Sequence, residues 1–403
     1  MSEKKMCYIC EIANLEPIEG KDRIVLASFT NTNWRVIVQK DEYKIGDKCI
    51  YFETESILPL WEEFQFLEKR CFSVKYNGYK IKTMKMGGVI SEGICFPIKP
   101  FYGPEGSKIG VPMNAAVDSD YTKAFQVRRA DDEVPQEPTP QKSWIKNKIN
   151  WLLWKLFRIK IKKQGFIFED FPSYLIKTDE TQAQSIPQLF DKMNGKPVYG
   201  TMKLDGQSLT FAQYKGMFTI STRNRTVYRA HFRKAMKLMN PNTAEKFRGK
   251  NNFAMIAARY DIPTRIFTNN LAIQGEFCGP GIQKNRMGLK DYDFFAFNLF
   301  DIDKREYFSW KELIRICHME GYRGDFIPIV KLIYWNTFEW KSIKELEEYA
   351  STLVYDNGTP AEGVVIRSLD DGVYMSQPHN KMHAMCSLKM INPLFKIRYQ
   401  SDD

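Results

Sequence analysis

The residues that could carry chemistry gather in the second half of the chain. In VYGTMKLDGQSLTF, Lys203 and Asp205 lie two apart in a strand-like run, so they share a face, and Gly206 permits close backbone approach. A lone lysine beside a carboxylate is usually a surface ion pair. Here further groups follow: Arg223 and Asn224 end the run ISTRNRTVY, and Glu276 precedes the tight turn Cys278-Gly279-Pro280-Gly281. DYDFFAFNLFDI then reads as a buried strand with alternating aromatics, AEGVVIRS carries Glu362 and Arg367, and CSLKMINPLF carries Lys389. A strand-borne lysine, three carboxylates (Asp205, Glu276, Glu362), an aromatic strand and a second lysine form a constellation suited to nucleotidyl transfer. Two other phosphate binders drop out. GPEGSK at 103–108 is too short for a P-loop, and no GxGxxG follows a strand.

Short strands must position these groups, and short strands also fill the first half. CYICEIANLEPI, RIVLASF, WRVIVQK and KCIYFETES alternate aromatic or β-branched residues with polar ones between turn clusters, a pattern of a small barrel or sandwich. YKIKTMKMGGVISEGICFPI adds Lys80, Lys82 and Lys85; on one continuous strand Lys80 and Lys82 share a face that could meet a phosphate backbone. Solvated lysines on a barrel rim explain them equally well. RRADDEVPQEPTPQKS, with three prolines and dense charge, reads as a linker and splits the chain near residue 130.

At 403 residues, with 43% hydrophobic and 27% charged residues, the composition is globular and the length suits two or three domains. The formal charge is +11, but KSWIKNKINWLLWKLFRIKIKK (142–163) holds eight basic residues, Lys155 and Arg158 among them, and no acid; without those eight, +3 remains. Its apolar residues recur at helical spacing. A linker helix packed on a domain, a phosphate-contact helix and a membrane-surface helix compete for it. No apolar run is long enough to span a bilayer, and the first twenty residues lack a signal-peptide pattern, so a soluble chain of the cytoplasm is expected. Eight scattered cysteines and four histidines offer no convincing zinc site; buried free thiols of a reducing compartment are expected.

In order and composition the C-terminal blocks resemble the covalent nucleotidyltransferase superfamily of RNA ligases, DNA ligases and capping enzymes. KLDG resembles motif I, STRN motif Ia, GEFCGPGIQKN motif III, DFFAFNLFD motif IIIa, EGVVIR motif IV and SLKMINP motif V. GEFCGPGIQKN is similar to the nick-sealing RNA ligase branch. WRVIVQKDEYKIGDKCIYFETESILP, KIKTMKMGGVISEGICFP and the lead-in FPSYLIKTDETQAQ resemble the Naegleria-type RNA ligases, which carry an OB domain first.

This resemblance implies an α+β protein: an OB-like nucleic-acid-binding barrel over residues 1–128, a charged linker with a basic amphipathic helix over 129–170, and an adenylyltransferase domain of two antiparallel sheets with flanking helices over 171–403. It also implies an ATP-dependent RNA ligase that works as a monomer, without stable membrane contact, and joins RNA 3′-hydroxyl and 5′-phosphate ends, as at a nicked duplex. Lys203 would take AMP from ATP; Asp205, Glu276 and Glu362 would hold Mg²⁺ or Mn²⁺ largely through water. Arg223 would contact the ribose or phosphate, Phe297 would stack on adenine, Lys389 would hold the α-phosphate, and Lys177 would reach the leaving phosphates. A free lysine has a pKa near 10.4 and carboxylates raise it, so the metal's charge is needed to favour the neutral amine. Two departures stand out: Ile391 replaces a second basic residue after Lys389, and Gln182 stands where an arginine is expected, with Arg225 a possible substitute. A DNA ligase, a capping guanylyltransferase and a non-catalytic RNA-binding protein are the alternatives.

Overall fold

The computed structural model describes residues 5–103, 108–130, 169–186, 188–267, 270–369 and 387–399. The chain divides into two units, Met1–Gly165 and Phe166–Asp403. The linker and basic segment expected between them, with Lys155 and Arg158, lie outside the described residues, as do His379, His383 and Cys386.

The N-terminal unit is built from β1 (Cys7–Ile18), β2 (Lys21–Phe29), β3 (Arg35–Gln39), β4 (Lys48–Phe52), β5 (Ser56–Leu58), β6 (Phe72–Ser73), β7 (Gly78–Lys80), β8 (Thr83–Met86), β9 (Val89–Glu92), β10 (Ile94–Pro97), β11 (Phe101–Tyr102), β12 (Lys108–Ile109) and β13 (Arg128–Arg129). Its main sheet runs β10-β4-β1-β2-β3, with β13-β5-β7-β6 as a second sheet and β8-β9 and β11-β12 as two-stranded pairs. The twelve-residue β1 serves two partners, pairing β4 through Cys7–Glu11 and β2 through Ile12–Ile18, with a register shift between Ile12 and Asn14. A bulge in a long strand bends it, and here the bend curls the sheet toward a barrel. Phe52, Phe64, Phe96, Phe101 and Phe125 pack edge-on or tilted in its core. The seven described cysteines are free thiols, all buried but Cys95.

The expected shared face of Lys80 and Lys82 is corrected here. β7 ends at Lys80 and β8 starts at Thr83, so the two lysines do not sit on one strand. Lys80 is buried against Glu55, with Nζ 3.0 Å from Oε2, because a buried ammonium needs a counter-charge. Lys82 is half-buried and Lys85 exposed.

The C-terminal unit adds β14 (Glu169–Asp170), β15 (Thr181–Gln182), β16 (Pro197–Lys203), β17 (Gln207–Tyr214), β18 (Met217–Thr222), β19 (Arg225–His231), β20 (Leu271–Cys278), β21 (Asp293–Asp301), β22 (Glu306–Tyr307), β23 (Leu332–Thr337), β24 (Gly363–Ser368) and β25 (Ser387–Ile391). Seven strands form one sheet in the order β14-β19-β18-β17-β20-β21-β22, and five form another in the order β15-β25-β24-β16-β23. Every pair is antiparallel except β15–β25. Residues of both sheets, among them Tyr199 and Met202 of β16 and Phe211 and Ile273 of the larger sheet, share one core with the helices Asn252–Arg259 and Trp310–Cys317. Asn251 and Ser309 cap those helices, each accepting a hydrogen bond from a backbone N–H of the first turn.

Candidate functional site

Strand period and register bring the candidate residues of the smaller sheet together. Tyr199, Thr201 and Lys203 alternate onto one face of β16. Thr201 lies opposite Val365, Val365 opposite Lys389, and Lys389 opposite Gln182, so Lys389 shares that face two strands from β16. In the adjoining row, Lys203, Gly363 and Ile391 are partners; the basic residue that Ile391 replaces would have stood in line with Lys203 across a glycine. Gly363 has φ +150°, and a Cβ there would lie 2.1 Å from the Met390 carbonyl oxygen. No other residue fits that row.

Glu276 comes from the larger sheet, on β20 opposite Ser208 and Phe295. The turn after β16 reaches it because Gly206 has no side chain: a Cβ there would sit 2.6 Å from Cys278 Sγ and 2.7 Å from Glu276 Cγ. Lys203 and Asp205 are thereby laid against Glu276, while Glu362 arrives just ahead of β24. Lys203 Nζ lies 2.6 Å from Glu362 Oε1. Burial disfavours the Lys203 ammonium, but the charges of Glu362 and Glu276 outweigh it, and the amine is held protonated well above its usual range. Desolvation, reinforced by Glu362, Glu180 and Asp205 against the opposing pull of Lys203, pushes Glu276 up to about 8. Asp205 is pushed up to about 6 by burial and Glu362, although Arg286 draws it down through a 2.5 Å ion pair.

The remaining predicted residues frame this cluster. Lys177 Nζ donates to Asn224 Oδ1 at 2.8 Å, and Arg223 pairs with Asp179 at 2.9 Å, so the segment KTDE is tied to the STRN turn. Phe297 sits at a bulge: Gln274 pairs Asn298 and Gly275 pairs Ala296, which leaves Phe297 out of register and half-buried. A bulge re-aims a side chain. Here Ala296 bonds to Pro328 and Val330 instead, at 2.8 and 3.0 Å. Arg225 is exposed at the start of β19, opposite Asp170.

Glu180, Arg286 and Tyr355 escape a sequence reading, and Arg367 is placed by it on a strand without a role. Arg367 is buried, donates to Thr201 Oγ1 at 3.0 Å and pairs with Glu180 at 3.2 Å, which fixes Glu180 of KTDE beneath the site. Both residues stand in recognised blocks, so block membership was an available signal. Arg286, directly after GPGIQKN, pairs with Asp205 while its guanidinium lies 4.4 Å from the Tyr399 ring and 5.4 Å from that of Phe395. Tyr355 carries no sequence signal. Its hydroxyl donates to the Lys203 carbonyl at 3.1 Å and accepts from the backbone N–H of Asp205 and Glu362 at 3.0 and 3.1 Å.

The donor set suits a hard divalent cation: all oxygen, crowded, and with two carboxylates held above their ordinary pKa by burial first and by their neighbours' charge second. Among the described residues no three His, Cys, Asp or Glu groups close into a ligand cage. The buried Gln182 Oε1, on a residue paired with Lys389 across the β15–β25 ladder, has no hydrogen-bond partner.

Residues 196–382 match the RNA ligase family model, and residues 6–98 match that of an OB-fold domain. The RNA ligase match thus falls wholly within the C-terminal unit. No curated protein matches the chain. Among solved structures, the ligase unit and its OB partner together are similar to Naegleria gruberi RNA ligase. One variant of that protein with AMP and manganese is 21% identical, with a TM-score of 0.73 over 98% of this chain and 99% of that one. A variant with ATP and manganese is 22% identical over the same shares with the same score, and a complex with pyrophosphate gives 21% and 0.70 over 99% and 100%. At these identities the likeness establishes the two-domain fold.

Proposed function

We propose that this ATP-dependent RNA ligase joins RNA 3′-hydroxyl and 5′-phosphate ends through a lysyl-AMP on Lys203, acting at nicks or breaks as a cytoplasmic monomer. The observation that carries the reading is the Lys203 amine held at 2.6 Å by Glu362 and overlooked by Glu276, inside the stretch the RNA ligase family model matches. The amine attacks the α-phosphorus of ATP, the bond to the β-phosphate oxygen breaks, pyrophosphate leaves, and the amine gives up its proton. AMP then passes to an RNA 5′-phosphate, and the 3′-hydroxyl displaces it.

Because the resting amine is protonated, its carboxylate partners must be drawn off before it can attack. Asp205, Glu276 and Glu362 would hold Mg²⁺ or Mn²⁺, as the manganese in the Naegleria complexes suggests. That ion supplies positive charge that favours the neutral lysine and offsets charge on the phosphates. Lys389, Lys177 and Arg223 would serve the phosphates, and Phe297, half-buried at its bulge, the adenine face. Lys82, Lys85, Lys155 and Arg158 are the candidates for RNA backbone contact.

Incubation with α-labelled ATP and magnesium should label the protein at Lys203, and Lys203→Ala should abolish the label without changing the melting curve. Label from GTP alone would overturn the reading in favour of a capping enzyme. Sealing a nick with DNA, but not RNA, at the 3′-hydroxyl end would favour a DNA ligase.

A further inference from the structure

We infer that Tyr355 is a positioning residue whose hydroxyl sets the Lys203 and Glu362 backbones in register for adenylyl transfer; the inference rests on the function proposed above. A phenol offers one donor and two acceptor sites. Tyr355 spends all three on the backbone of the site: it donates to the Lys203 carbonyl and accepts from the N–H groups of Asp205 and Glu362.

The place of this hydroxyl explains why it is needed. The pairing of β16 with β24 stops at Lys203 and Gly363, so the peptide groups just beyond have no ladder partner. The hydroxyl takes the place of the missing rung and joins two segments that diverge there, one bearing the nucleophile and the other its carboxylate partner. The Glu362 peptide is pinned from its other side as well, since its carbonyl accepts from the Asn392 N–H at 2.8 Å. Tyr355 is itself fixed: its ring is 5% exposed in the main core, and its N–H donates to the Thr359 carbonyl at 2.8 Å within a tight turn. The phenol touches no side chain of Lys203 or Glu362 in these bonds. It acts through their main chains.

A shift of about 1 Å in a reacting group costs a rate on the order of a hundredfold. Tyr355→Phe keeps the ring and removes the bridge. At saturating ATP and magnesium, single-turnover formation of protein-AMP should slow by about 10–100-fold, with the ATP concentration for half-maximal rate within about threefold of wild type, because the phenol spends its hydrogen bonds on the main chain. The comparison is Ile316→Val, a trim in the same core on the helix Trp310–Cys317, with each variant assayed equally far below its own melting temperature. If that variant adenylylates as slowly as Tyr355→Phe, lost stability explains the effect and the inference falls. A wild-type rate for Tyr355→Phe, or a loss confined to ATP affinity, also overturns it. A wild-type protein that never takes AMP from ATP removes the proposed function; label on wild type with an equal rate in Tyr355→Phe removes only this inference.

Discussion

Arg286 is the most exposing place to perturb the site without touching the nucleophile. Its guanidinium pairs with Asp205 at 2.5 Å, the two side chains being only 9% and 11% exposed, and it lies over the rings of Tyr399 and Phe395. Removing one partner of a buried ion pair costs about 3–5 kcal/mol when the other charge stays. Asp205 has an escape, because its pKa already stands at about 6 and loss of Arg286 can only raise it. Taking up a proton at pH 7 then costs no more than about 1.4 kcal/mol. Lost guanidinium–aromatic attraction adds about 0.5–1 kcal/mol. Arg286→Leu should therefore destabilise the C-terminal unit by no more than about 2–2.5 kcal/mol, below the buried-pair range. In the background of Asp205→Asn the same change should cost at least about 1 kcal/mol less. Urea unfolding followed by hydrogen exchange of peptides from the C-terminal unit keeps the other unit out of the measurement. A cost below about 0.5 kcal/mol, or an equal cost in both backgrounds, would refute the clamp as an energetic element.

Phe297→Ala should weaken use of ATP by about 1–3 kcal/mol, the worth of an aromatic platform under a base, read as the half-saturating ATP concentration for protein-AMP formation; an unchanged value returns Phe297 to a packing role. Asp291, held by Arg248 and Arg259 at 2.5 and 2.8 Å, has a carboxyl kept below its ordinary range, first by hydrogen bonds from Arg248. A depressed folded pKa means the stabilisation is complete above the unfolded value near 3.9 and fades as pH falls below it. Asp291→Asn should thus lower stability by about 0.5–1 kcal/mol at pH 7, discounted because these groups are partly exposed. The gap to wild type should narrow in melting curves taken below about pH 4; a gap that widens there would contradict the sign.

The sequence made the blocks around Lys203, Glu276, Glu362 and Lys389 legible because each is a short strand with period-two spacing and a turn beside it, so local chemistry and local structure coincide. It hid Arg286 and Tyr355 because the partner of Arg286 lies 81 residues away and two of the three Tyr355 partners lie about 150 away, and those of Tyr355 are backbone groups that leave no compositional trace. Lys80 failed in the other direction: alternation was extended through Lys82, but the strand breaks after Lys80 and its ammonium turns inward to Glu55. The bulge at Phe297 was equally invisible, since it is a mismatch between two strands and not a property of either.

Lys203 and Lys389 belong to the smaller sheet, whereas Glu276 and Phe297 belong to the larger one, and Tyr199, Met202, Phe211 and Ile273 fill the common interior between their strands. On the function proposed above, the gap a nucleotide would bridge from Lys203 to Phe297 is set by the thickness of a hydrophobic layer. Trading bulk among those interior residues would retune the reach from amine to base, leaving every charged group in place, so selection for speed or thrift in this enzyme could act on residues no substrate ever meets.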